Sequence, residues 1–141
     1  MSSVSIIDHS NLEEFQDPIL YDVENTLDDD GPFFLELAVA YGAPVLDLAC
    51  GTGRMSIPIA QRGLRVVGVD VAAPMLDHAR RKSAGLPITY VHADATALAL
   101  AERFRCALLT GHAFQGFLTE DDQRRVLAAA YRHLAPGWSP P

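Results

Sequence analysis

Two spacings of apolar residues alternate along this chain. Short, mostly apolar runs at 45–49, 65–69, 88–91 and 106–110 predict four buried strands. Around them apolar residues recur at helical spacing. Phe33, Phe34, Leu37, Ala38 and Tyr41 share a face in a helix over 33–41 that Gly42 and Pro44 end. Further helices are expected near 54–62 and 74–83, with a last one from about 121 to 134. Val126, Leu127, Ala130, Tyr131 and Leu134 form the apolar face of that last helix, and Thr119 with Asp122 gives it a capping signature. The pattern gives four strands and about five helices.

Strand alternating with helix requires parallel strands joined by crossovers, so the fold class is α/β with a mainly parallel sheet. The first thirty residues are acidic and sparsely apolar, ending in the turn Asp28-Asp29-Asp30-Gly31-Pro32. Beyond Leu134, Pro136 and Gly137 read as a helix stop, and Pro140 and Pro141 cannot join a sheet ladder. No further strand is expected there.

With 141 residues, 49% of them hydrophobic, the chain has the core of one domain and not of two. A formal net charge of -7 without a basic stripe argues against nucleic acid and anionic membrane surfaces as partners. Cys50 and Cys106 sit in separate apolar runs and are expected to be reduced and buried. Their spacing suits neither a metal site nor a disulfide framework. No export segment or long apolar span is evident, so a cytoplasmic protein is expected.

Chemistry concentrates where the first strand ends. Val45-Leu46-Asp47-Leu48-Ala49-Cys50-Gly51-Thr52-Gly53-Arg54 is a buried strand running into a tight glycine turn that opens a helix. Gly51 and Gly53 let backbone approach a ligand, and the amides that follow are donors, which implies a nucleotide-like ligand. A dinucleotide fingerprint would have a third glycine where Ser56 stands. Asp47 would repel a diphosphate but attract an ammonium group or order water around one. Asp70 closes the second strand nineteen positions after Gly51, where a carboxylate accepts ribose hydroxyls or caps the following helix. Val71, Ala72 and Met75 offer apolar contact to an adenine face, although a methionine at a helix start also serves as ordinary core. Asp94 lies just past the third strand. His92, inside that strand, reads as a packed or solvent-facing side chain rather than a general base.

The run Asp-Leu-Ala-Cys-Gly-Thr-Gly-Arg, with Asp70, Asp94 and the loop after the fourth strand in order, resembles class I S-adenosylmethionine-dependent methyltransferases over roughly residues 21–137. That resemblance implies a Rossmann-like three-layer αβα domain, 21–141, preceded by an N-terminal arm, 1–20. It implies S-adenosylmethionine as cofactor and a small-molecule methyl acceptor as substrate. Its cofactor residues would be Tyr21, Asp47, Ala49, Gly51, Thr52, Gly53, Asp70, Val71, Met75, Asp94, Ala95 and Gly111. Asp94 would meet the adenine amino group and the Ala95 amide a ring nitrogen. Tyr21 would be a lid over the methionine end or an aromatic staple for the arm.

In the loop 110–118, Phe114 and Gln115 are the substrate-side candidates. His112 would be either a base for an acceptor that must lose a proton or a wall of the cofactor pocket. Similar proteins continue after Leu-Ala-Pro-Gly-Gly into a fifth strand and an antiparallel pair, whereas Trp138 stands here in place of the second glycine. The expectation is therefore a family fold missing its C-terminal strands, with an open sheet edge through which two copies would pair. A cofactor-binding module without catalysis is the alternative function, and an NAD-type oxidoreductase a third that Asp47 and Ser56 disfavour.

Overall fold

The computed structural model describes residues 31–109 and 119–136. Helix α1 spans Gly31–Tyr41, and β1 (Val45–Leu48) leads through the glycine turn to α2 (Ser56–Gln61). β2 (Val66–Asp70), α3 (Ala73–Lys82) and β3 (Ile88–His92) follow. A 3-10 turn at Ala95–Ala97, β4 (Cys106–Leu108) and α4 (Glu120–Arg132) complete the described elements.

The four strands form one parallel sheet in the order β3-β2-β1-β4. β1 and β2 are each buried on both faces, as parallel strands covered by crossover helices must be. Alternate residues feed two cores. Val45, Val66, Cys106 and Leu108 pack with Met55, Ile59 and Ala60 of the turn and α2 and with α1. Leu46, Leu48, Val67 and Val69 pack on the other face with Phe104, Val126 and Ala129. Helices thus cover both faces of the sheet, the three-layer α/β arrangement expected. The chain runs outward from β1 to β3 and then returns to β1's other side as β4, so the strand order reverses at the C-terminal ends of β1 and β4. Such a reversal opens a crevice in an open parallel sheet.

Differences from the expected elements have local causes. β1 stops at Leu48 because Ala49 turns into the left-handed region at φ 56, and the turn it opens delays α2 to Ser56. In α1, Phe33 is 62% exposed rather than on the inner face. In α4 the buried stripe is Val126 and Ala129, while Leu127 and Tyr131 are 52% and 76% exposed. The small Ala129 lets that helix lie close to the sheet, and its larger neighbours rim an apolar groove of about 270 Å³ with Leu37, Tyr41, Cys106 and Leu134. The N-cap is as read: the Asp122 amide donates to Thr119 Oγ1 at 3.0 Å.

After α4 the backbone returns to the sheet instead of simply stopping. The Phe104 amide donates to the His133 carbonyl at 2.7 Å and the Ala135 amide to the Phe104 carbonyl at 2.8 Å, a one-residue parallel bridge of Leu134 beside the start of β4. His133 is 2% exposed and secures this corner. Its Nδ1 donates to the Ala129 carbonyl at 2.6 Å and its Nε2 accepts the Leu100 amide at 2.9 Å. No helix among the described residues is long and apolar enough to cross a membrane.

Candidate functional site

The glycine turn occupies residues 49–55, at the C-terminal edge of the sheet. Three of its residues have positive φ: Ala49 at 56, Gly51 at 58 and Gly53 at 89. For alanine that conformation costs about 1 kcal/mol or more, and the surrounding structure enforces it. The Cys50 amide donates to the Val69 carbonyl at 2.9 Å, extending the β1–β2 ladder one step into the turn. The Gly53 amide donates back to the Cys50 carbonyl at 3.0 Å. A Cβ on Gly53 would stand 3.0 Å from both Ile57 Cδ1 and Tyr90 Oη, so this glycine is required by space as well as by φ.

Two carboxylates hold the turn from opposite sides. Asp70, last residue of β2, accepts the Gly51 amide at Oδ2 (2.9 Å) and the Ala72 amide at Oδ1 (2.8 Å). It therefore fixes the turn and the entry to α3 together. Burial pushes its pKa up, and the amides oppose that shift. Asp47, 2% exposed, lies under the turn and accepts the Ser56 hydroxyl at 2.6 Å. Burial pushes its pKa up to about 6, against the Ser56 hydrogen bond and the Arg54 charge. The Cys50 thiol, also buried, is pushed well above its ordinary range by the same desolvation. Cys106 is pushed up to about 11, so both cysteines are inert core residues.

Beside the turn is a small cleft lined by Ala49, Val69, Asp70, Val71, Ala93 and Ala95. Four of the expected cofactor residues, Ala49, Asp70, Val71 and Ala95, thus share one lining. Val71 is 60% exposed, an apolar side chain standing at the surface. Asp94 caps the 3-10 turn, with Oδ1 accepting the Thr96 amide at 2.9 Å and the Thr96 hydroxyl at 2.7 Å. Thr52, within the turn, is fully buried. Met75 is 1% exposed and packs with Ala72 in the core, so it supports the start of α3 from below and does not line the cleft. His92 Nε2 donates to the Val71 carbonyl at 2.9 Å, a strut between β3 and the end of β2. Tyr21, Gly111, His112, Phe114 and Gln115 lie outside the described residues.

Residues that sequence reading missed are Val69 and Ala93, both on the cleft wall. Each immediately precedes one of the acids, Asp70 and Asp94, and a small or branched apolar residue before a strand-end acid is the signal that marks them. Ser56 was read only as a missing glycine. Its side chain is instead a structural partner of Asp47.

Comparison with known proteins gives the same direction. A family described as a methyltransferase domain matches residues 45–137. The demethylmenaquinone methyltransferase of Thermus thermophilus is 40% identical over 97 residues, which cover 66% of this chain and 43% of that protein. Among solved structures, the CcbJ methyltransferase from Streptomyces caelestis superposes with a TM-score of 0.71 at 32% identity, covering 77% of this chain and 49% of that one. The glycopeptide N-methyltransferase MtfA complexed with (S)-adenosyl-L-methionine gives a TM-score of 0.66 at 28% identity, with coverage of 80% and 54%. The chain spans about half the length of these proteins.

Proposed function

Because the chain belongs to the methyltransferase domain family, we propose that it binds S-adenosylmethionine and transfers its methyl group to a small-molecule acceptor. The observation that carries this reading is the turn at 49–55 held between Asp70 and the Asp47–Ser56 pair at the strand-order reversal. The fold and the solved relative with bound S-adenosylmethionine support the choice of cofactor.

The donor set fits that cofactor. A turn with three left-handed residues brings backbone to the sheet edge, where Gly51 carries no side chain and the missing Cβ of Gly53 makes room for Ile57 and Tyr90. Asp70 lines the cleft while both its oxygens hold amides, so its remaining lone pairs suit the hydroxyls of a ribose. Val71 and Ala95 give apolar contact for a base, and Asp94 lies in sequence between the lining residues Ala93 and Ala95. Asp47 puts negative charge under the turn, which favours an ammonium group over a diphosphate. Bound S-adenosylmethionine supplies a methyl group on a positively charged sulfur, open to displacement by a nucleophile. The protein's task is then alignment and exclusion of water, which is worth several kcal/mol without any strong base.

The arm 1–20, Tyr21 as lid or staple, and the loop residues Gly111, His112, Phe114 and Gln115 are assigned on resemblance. In this reading Gly111 adjoins the cofactor, and Phe114 and Gln115 face the acceptor. His112 accepts a proton when the acceptor is a neutral amine or hydroxyl. A net charge of -7 favours a small acceptor over nucleic acid. Cofactor binding without transfer is the second reading. An NAD-type oxidoreductase is disfavoured by Ser56, which fills the space that a third glycine would leave between helix and strand. Incubation with methyl-labelled S-adenosylmethionine and a panel of small amines, phenols and hydroxy compounds tests the proposal. Label in one acceptor class supports transfer, whereas binding with no labelled product supports the second reading. Two copies pairing along the outer edge of β4 is our expectation for assembly, and light scattering reads it directly.

A further inference from the structure

We propose that Ser56 is a positioning residue for the cofactor turn, its hydroxyl clasping α2 to Asp47 of β1 so that the residues between them keep the conformation that receives the ligand. The proposal rests on the reading of the turn as a S-adenosylmethionine site and goes beyond it, to a residue that neither the glycine pattern nor the cleft lining singles out.

The geometry has three parts. Ser56 is fully buried and is the first residue of α2, while Asp47 is the third residue of β1, so a 2.6 Å bond between their side chains closes a loop around the whole turn. Met55, the N-cap of α2, makes no side-chain hydrogen bond, so no capping side chain anchors the start of this helix. The clasp supplies the anchor from one residue further on. Finally, the turn stores unfavourable backbone conformation at Ala49, which persists only while both ends are pinned. Asp70 pins the turn at Gly51 and Asp47–Ser56 pins its far end.

Chemistry makes the hydroxyl, and not merely its volume, the active feature. Without the hydroxyl the buried carboxylate keeps the Ser56 backbone amide but loses its larger, charge-assisted hydrogen bond, which water cannot replace. The charged and titratable groups around Asp47 are Arg54 of the turn, Cys50 of the turn, Asp70 of β2, Tyr90 of β3 and Cys106 of β4. Of these only Arg54 favours the ionised carboxylate, and Asp70 opposes it. Removing the Ser56 hydroxyl therefore leaves Asp47 easier to protonate, with less negative charge beneath the turn near neutral pH.

The test is S-adenosylmethionine affinity by calorimetry from pH 5.5 to 8.5 for the wild-type chain, Ser56→Ala and Ser56→Thr. The alanine variant is expected to bind about tenfold more weakly at neutral pH. The pH at which its affinity falls on acidification should move up by about one unit. Threonine, which keeps the hydroxyl, is expected to restore most of the affinity and the wild-type profile. Ser56→Cys, close in volume but a weak donor, replaces the alanine variant if that protein does not fold. Wild-type affinity and an unshifted profile in the variant lacking the hydroxyl would overturn the proposal, as would equal weakness of alanine and threonine. Absence of binding by the wild-type chain at every pH would instead overturn the cofactor reading on which it rests.

Discussion

The carboxylate of Asp70 accepts the backbone amide of Gly51 at 2.9 Å, joining the end of β2 to the turn that ends β1. A residue expected to meet the ligand thus also builds the site, since its other oxygen holds the Ala72 amide at 2.8 Å. Asp70→Ala should remove both bonds at once. We expect loss of detectable S-adenosylmethionine binding in calorimetry and a destabilisation of about 2 to 3 kcal/mol in urea unfolding. Loss of affinity with unchanged stability would show that Asp70 meets the ligand without holding the turn.

Gly53 and Gly63 make a matched pair, both with φ near +85 to +90, at 89 and 84. A Cβ at Gly53 would meet Ile57 and Tyr90 at 3.0 Å, whereas nothing lies within 4 Å of one at Gly63. Gly63→Ala is expected to cost about 1 kcal/mol from backbone conformation alone and to leave cofactor affinity unchanged. Gly53→Ala is expected to cost roughly 2 to 3 kcal/mol and to weaken binding about tenfold, because Ile57 and Tyr90 must give way beside the strained turn. Thermal unfolding and a cofactor titration on the two variants separate conformational from steric cost.

Asp47 gives the fold a pH dependence whose sign is fixed by burial. Its pKa is about 6 in the folded chain against an ordinary 3.8, so the folded state binds the proton more tightly than the unfolded state. The stabilisation linked to that proton is complete below about pH 4 and is lost as pH rises through about 6. The wild type minus Asp47→Asn difference in unfolding free energy should therefore fall between pH 4 and pH 7, by up to roughly 3 kcal/mol. A difference that is flat across that range would contradict the buried, desolvated carboxylate.

His133 offers a test far from the cofactor turn. It ties the end of α4 to the Leu100 amide, beside the Phe104–Leu134 bridge. His133→Ala leaves that amide without its acceptor and opens space in a buried corner, so a loss of about 3 kcal/mol is expected in urea unfolding. Cofactor affinity of the variant under native conditions should be within about twofold of the wild type, because His133 does not touch the turn or the cleft.

Much of this architecture was legible from spacing. The four strands emerge near their expected places because parallel strands buried on both faces read as short continuous apolar runs. Asp47, Gly51, Gly53 and Asp70 were legible because a tight turn at a strand end demands glycine and an acid at the next strand end demands a partner. Three features were not legible, each depending on tertiary packing. The rotation of α4 that buries Ala129 and exposes Tyr131 follows from how closely the helix approaches the sheet, which periodicity does not encode. Met75 sits in the core because α3 turns that face inward. The Ser56–Asp47 bond joins side chains nine residues apart through a turn whose shape determines whether they meet.

The most direct test of the central claim is a calorimetric titration of the 141-residue chain with S-adenosylmethionine, and separately with NAD, at neutral pH. Saturable binding of S-adenosylmethionine with none of NAD is the predicted result, and Asp70→Ala should abolish it. Binding of NAD alone, or of neither ligand by a folded sample, would contradict the account.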